Sequence, residues 1–126
     1  MKTPEPRSLL PLPHLTYLVL LALARGEAHG WAIIKRIDEI TAGGTKPSSG
    51  SLYLAMVRLE ERGLLDEVEP PTGETDERRR YYRLTAFGER VLEAETLRLA
   101  GLVKEAARQG IVTGRAAASR VVPRKA

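Results

Sequence analysis

The chain has 126 residues and a mass of 13.9 kDa, the length of one domain with a modest core. With no cysteine and only two histidines, His14 and His29, disulfides and thiolate chemistry are excluded, and too few ligands remain for a metal centre. The formal net charge is +4, yet acidic and basic residues balance through residue 111, and the excess lies in Arg115, Arg120, Arg124 and Lys125.

Residues 1–13 form a proline-rich arm of mixed charge, without the basic-then-apolar run of a signal peptide, so a cytoplasmic location is expected. Leu15 to Ala24 is apolar except for Thr16, well short of the roughly 20 residues of a membrane span. Periodicity alone also admits a strand there. The length of the run and its Arg25-Gly26 ending favour a buried helix, with His14 as its cap. His29 to Thr41 follows as a second helix. Ile33, Ile37 and Ile40, joined by Ile34, lie along one side, Lys35, Arg36, Asp38 and Glu39 on the other, and Gly43-Gly44 breaks the pattern. Trp31 stands amid these isoleucines and is expected in the core.

A third helix starts and stops sharply. A hydroxyl at Ser48 or Ser49 after Pro47 can accept from the free donors of a first helical turn. Leu52, Ala55, Met56 and Leu59 then recur at the spacing of one buried stripe, and Gly63 stands where a left-handed C-terminal residue is needed. The opposite face carries Ser49, Ser51, Tyr53 and Arg58, small hydroxyls and one cation near an end that presents free N–H groups to phosphate. An ordinary polar helix surface would look the same from this segment alone. The next residues argue for DNA. Leu64 to Glu69 and Arg79 to Leu84 alternate as a strand pair around the Pro70-Pro71-Thr72-Gly73 turn. Arg78, Arg79, Arg80 and Arg83 cluster on the second strand, where a wing would meet the sugar-phosphate backbone. A solvated, charge-protected strand edge is the alternative. Glu74, Asp76 and Glu77 make the loop tip acidic, so the arginine-bearing strand, not the tip, is expected to face phosphate.

Thr85 is a plausible N-cap for a last helix running to about Gln109 and bounded by Gly110, with Leu92, Leu99, Leu102, Val103 and Ala106 as an apolar stripe. No second helix of comparable length remains in the chain to cover that stripe. Either a partner subunit covers it or it folds back on its own domain. Gly114, three alanines and Pro123 suggest a flexible or weakly helical basic tail over 111–126, either a solubilising end or an extra phosphate-contacting arm.

Tyr17 to Ala24, His29-Gly30-Trp31, the Ser48-to-Gly63 helix with Gly50, Ser51, Leu52 and Tyr53, and Arg80-Tyr81-Tyr82-Arg83-Leu84-Thr85 with Gly88 together resemble the PadR family of bacterial transcriptional regulators. The resemblance covers roughly Leu15 to Glu95, and the combination is far more specific than any one piece. It departs at Trp31, where the family usually has tyrosine, and at Ser49 and Leu54, where prolines are frequent. The last two lie beside the candidate reading face and bear on DNA sequence preference.

The resemblance implies a mainly α fold with a small β-hairpin wing: a winged helix-turn-helix over 14–84 and a C-terminal dimerisation helix over 85–110. It implies a homodimer whose last helix crosses to the partner, often against the partner's first helix. The expected function is a sequence-specific regulator, usually a repressor, that binds double-stranded DNA at an inverted repeat. A small molecule is the candidate effector. The residues assigned to DNA are Ser48, Ser49, Ser51, Tyr53, Arg58, Arg78, Arg79, Arg80 and Arg83. The chain's length places it in the compact subgroup with a single dimerisation helix. In that family a drug-binding member would carry an aromatic residue on the dimer-facing part of the last helix, and here Phe87, near its start, is the only one. A winged-helix protein-interaction module without DNA reading is the alternative. No enzyme or cofactor is expected, because there is no nucleophile–base pair of recognisable spacing, no phosphate-cradling glycine loop and no metal set.

Overall fold

The computed structural model describes residues 4–112. A 3-10 turn, Pro6–Leu9, leads into helices α1 (His14–Leu23), α2 (Gly30–Ile40) and α3 (Ser49–Glu61), strands β2 (Leu65–Val68) and β3 (Tyr81–Leu84), and the long helix α4 (Ala86–Arg108). A further strand, β1 (Ala28–His29), precedes α2 and completes an antiparallel sheet in the order β1-β3-β2. The hairpin thus becomes a three-stranded sheet, with Ala28 opposite Tyr82 and His29 opposite Tyr81. Among the described residues no helix is long and apolar enough to cross a membrane.

Local caps set the helix boundaries. Ser48 Oγ accepts from the N–H of Ser51 at 3.1 Å, and Thr85 Oγ1 accepts from the N–H of Gly88 at 2.9 Å. His29 caps α2 through Nδ1, which accepts from the N–H of Ala32 at 3.2 Å. His14, expected as a cap, is instead the first residue of α1, after Pro13. Gly63 ends α3 with φ +76°, a left-handed turn that a side chain would strain.

The core sits among α1, α2, α3 and the start of α4, built on Val19, Leu20, Ile33, Ile37, Leu59, Leu64, Leu65 and Val91. Arg36, on the polar side of α2, bonds back to the end of α1, donating to the carbonyls of Ala22 (3.1 Å) and Gly26 (2.7 Å). The Ala22 carbonyl also accepts from the Arg25 N–H at 3.3 Å, so Arg36 adds a second bond there and ties α2 to the turn after α1. At the start of α4 a Cβ on Gly88 would lie 2.0 Å from the carbonyl oxygen of Leu64, so only glycine allows this approach. Two further bonds clamp the same place, Thr85 N–H to Leu64 O at 3.2 Å and the Thr85 hydroxyl to Gly63 O at 2.6 Å.

The first half of α4 therefore folds back on its own domain, burying Phe87, Gly88, Val91 and Glu95. Leu92 is half-buried against the same core, whereas Leu102 and Val103 further along stay exposed. The N-terminal arm is held too. Leu12 enters the core and its N–H donates to Glu95 Oε2 at 2.8 Å. Glu95 is 1% exposed and also takes a hydrogen bond at 3.1 Å from Arg98 Nη2. These bonds hold its carboxyl below the ordinary glutamate range, the Arg98 guanidinium foremost and the Leu12 N–H after it, against burial. The basic tail lies, from residue 113 on, outside the described residues.

Candidate nucleic-acid interface

The first turns of α3, from Ser49 to Val57, carry no charged side chain. Their buried stripe anchors the helix, leaving Gly50, Tyr53, Leu54 and Arg58 outward, with Val57 half-exposed. Gly50, Leu54 and Val57 follow at the i, i+4, i+7 spacing of one stripe along the middle of that outward face. Tyr53 (65% exposed) flanks it on the side of the wing. Ser48 and Ser51 form a capping pair in which the Ser48 hydroxyl also donates to Ser51 Oγ at 3.0 Å, leaving the Ser51 hydroxyl proton free for an outside acceptor.

A groove of about 590 Å³ separates α3 from the segment before β3. Ser49, Tyr53, Val57 and Glu60 form one wall, Arg78, Arg79, Arg80 and Tyr82 the other, and His29 at the end of β1 and Trp31 at the start of α2 close it. Trp31 is the main correction to the expected core. It is 64% exposed, and the Lys35 ammonium sits 4.9 Å from the centre of its ring. The reason is spacing: α1 takes Ile33 and Ile37 as the buried stripe, and position 31 falls outside it. Lys35, one turn on, then covers the ring face.

Arg78, Arg79 and Arg80 precede β3 and do not lie within it, so only Arg83 of the four stands on that strand. The acidic loop is folded onto these cations. Arg79 reaches Glu74 at 3.4 Å and Asp76 at 3.8 Å, Arg78 reaches Asp76 at 3.3 Å, and Arg80 reaches Glu67 at 3.6 Å. Glu74 also accepts from the Tyr81 hydroxyl and, at 2.9 Å, from the N–H of Asp76. Tyr81 and the Asp76 N–H, followed by Arg79, hold the Glu74 carboxyl below its ordinary range, and the Tyr81 hydroxyl is raised by the same bond. Glu74 thus points inward, so the loop tip is less acidic than its sequence. The ion pairs at the surface are weak and can exchange for phosphate. The His29 pKa is pushed down, mainly by desolvation and then by Arg79, which favours the neutral ring, and its cap bond from the Ala32 N–H uses Nδ1 as the acceptor.

The structure brings Ser49, Tyr53 and Arg78 to Arg80 around one groove. Arg58 and Ser51 are exposed on the far flank of α3, away from it. Arg83 stands apart, paired across the sheet with Asp66 and lining clefts with Glu27, Glu69 and Glu93. Gly50, Leu54 and Val57 were not among the expected site residues. Their i, i+4, i+7 spacing opposite the Leu52, Ala55, Met56 and Leu59 stripe was the available signal.

The model of the PadR-like transcriptional regulator family matches residues 19–94, from the second turn of α1 to the middle of α4. The chain belongs to the PadR-like family of transcriptional regulators. Its fold is the winged helix-turn-helix of that family. An uncharacterized 37.1 kDa protein in transposon Tn4556 of Streptomyces fradiae is 40% identical over 93 residues, covering 71% of this chain and 25% of that protein. The chain spans about a quarter of the length of the curated relatives it matches. Among solved structures, a PadR family transcriptional regulator from Eggerthella lenta shares 31% identity over 82% of this chain and 83% of that one, at a TM-score of 0.59. A PadR family regulator from Clostridium difficile superposes at a TM-score of 0.66 over 79% of this chain and 100% of that one, at 24% identity, a likeness of fold.

Proposed function

We propose that this PadR-like regulator is a homodimeric repressor that places α3 in the major groove of an inverted-repeat operator and releases it when a small molecule binds. Ser48 caps and sets the helix, Ser49, Ser51 and Tyr53 meet the DNA from its first turns, and Arg58 and the Arg78-to-Arg80 segment take phosphate. Arg83, on the opposite side of the sheet, serves phosphate only where the duplex bends around the wing.

The observation that carries this reading is the distribution of exposed large hydrophobics among the described residues. Trp31, Tyr53 and Leu54 gather at the reading head, and Leu97, Leu102, Val103 and Ile111 lie along and just after the distal half of α4. A family of DNA-binding dimers needs those two surfaces, one for the duplex and one for the partner. On this reading Leu99, Leu102, Val103 and Ala106 form the dimer contact, and Leu92 joins it from the edge of the domain core.

The effector acts by favouring one angle between subunits. Half-sites one turn apart require reading helices about 34–36 Å apart, so a small rotation at α4 disturbs both together. Selecting bound sequences from a random duplex library with the full chain, then measuring the mass of the free protein by light scattering, tests both halves. A two-fold symmetric consensus and a dimer mass support the reading. Monomer mass, or an asymmetric single half-site, contradicts it.

A further inference from the structure

We propose that Leu54 is a specificity-determining residue that reads the C5-methyl group of a thymine in each half-site. The inference rests on the major-groove orientation proposed above and deepens it. Leu54 is 58% exposed at the centre of the outward face of α3, one turn from Gly50 and flanked by Val57. A Cβ built on Gly50 meets nothing within 4 Å, so that turn has open space in front of it and the backbone can approach a groove floor closely.

What the helix lacks decides the chemistry. Base pairs are read in the major groove by Arg or Lys on guanine, Asn or Gln on adenine, Asp or Glu on cytosine, hydroxyls on any of them, and apolar side chains on the thymine methyl. From Ser49 to Val57 there is no Arg, Lys, Asn, Gln, Asp or Glu. The central stripe of Gly50, Leu54 and Val57 offers apolar surface alone, and the one base-edge feature that gains from apolar surface is that methyl. A leucine set against a carbonyl or amino edge would desolvate it without replacing its hydrogen bond. The side chain therefore favours thymine and disfavours the other bases at the position it covers.

Deoxyuridine differs from thymidine only by the absent methyl, which makes it the probe. In a duplex selected by the full chain, each thymine is replaced in turn by deoxyuridine, in both half-sites together, and binding is measured by fluorescence anisotropy for the parent and for Leu54→Ala. Because Leu54 is mostly exposed, the variant is expected to keep the parent's melting temperature, which is recorded alongside. The expected result is one thymine whose demethylation weakens the parent about fourfold per half-site, with the penalty absent in Leu54→Ala. Parent binding that is insensitive to every replacement, or a penalty that persists unchanged in Leu54→Ala, overturns the proposal while the DNA-reading orientation stands. A library that yields no enriched duplex overturns the orientation itself and the proposal with it.

Discussion

Replacing Gly88 by alanine forces a methyl group against backbone that has nowhere to go. The added carbon would lie 2.0 Å from the oxygen, 3.0 Å from the carbonyl carbon and 3.3 Å from the Cα of Leu64. Relief requires α4 to retreat from the α3–β2 turn by more than an ångström, and that retreat stretches both Thr85 bonds to the same turn and lifts Phe87 and Val91 from the core. Overpacking of this kind and two weakened hydrogen bonds together cost about 3–5 kcal/mol. For a domain of this size that lowers the melting temperature by roughly 15–30 °C. Thermal unfolding followed by circular dichroism at matched protein concentration measures it. Gly101→Ala is the internal control, since nothing lies within 4 Å of its built Cβ, and alanine in a helix interior is worth about 0.5–1 kcal/mol over glycine. A Gly88→Ala protein melting within a few degrees of the parent would refute the clamp between α4 and the reading head.

Leu99→Asp is expected to give a monomer or an insoluble chain, and a soluble variant of unchanged dimeric mass by light scattering would remove Leu99 from the interface. Glu95→Ala leaves the Leu12 N–H and Arg98 without their acceptor and should destabilise the fold by about 1–3 kcal/mol in urea titrations. Because the folded Glu95 pKa is depressed, its contribution is present above the unfolded carboxylate range and fades as pH falls through the lower folded value. The parent should therefore lose stability on acidification more steeply than Glu95→Gln, and parallel pH profiles would contradict the assignment. Each of Arg78→Ala, Arg79→Ala and Arg80→Ala should lower the salt slope of DNA binding by about one if the residue contacts phosphate, with little change in sequence preference. An unchanged slope for all of them would move the phosphate contacts elsewhere.

The features legible in the sequence are those decided within a few residues. The caps at Ser48 and Thr85, the glycine at Gly63 and the buried stripe of α3 all depend on neighbours one turn away, and they stand where the spacing placed them. Contacts between distant segments were not legible. β1 exists because Tyr81 and Tyr82 pair with it, and two residues of sequence carry no alternation to announce that. Trp31 looks like core until α1 selects which side of α2 is buried. Glu95 hides in an otherwise apolar inner face because a backbone N–H from the N-terminal arm reaches it. Arg83 looked equivalent to Arg78, Arg79 and Arg80, but it stands within β3 opposite Asp66, whereas those three precede the strand and line the groove. Nor does the sequence show that Glu74, one of the three acids of the loop, turns inward to accept from the Tyr81 hydroxyl.

The central claim is that α3 and the arginine segment together recognise a specific duplex, and the direct test is selection from a random library followed by affinity measurement of the parent, Tyr53→Ala and Arg79→Ala on the selected site. The account predicts an inverted repeat with half-site centres about 10–10.5 bp apart or a multiple of that spacing. Tyr53→Ala should lose preference at one base pair per half-site by roughly 1–3 kcal/mol, while Arg79→Ala weakens all sequences alike. Parent-like binding by both variants would contradict this placement of the helix on DNA.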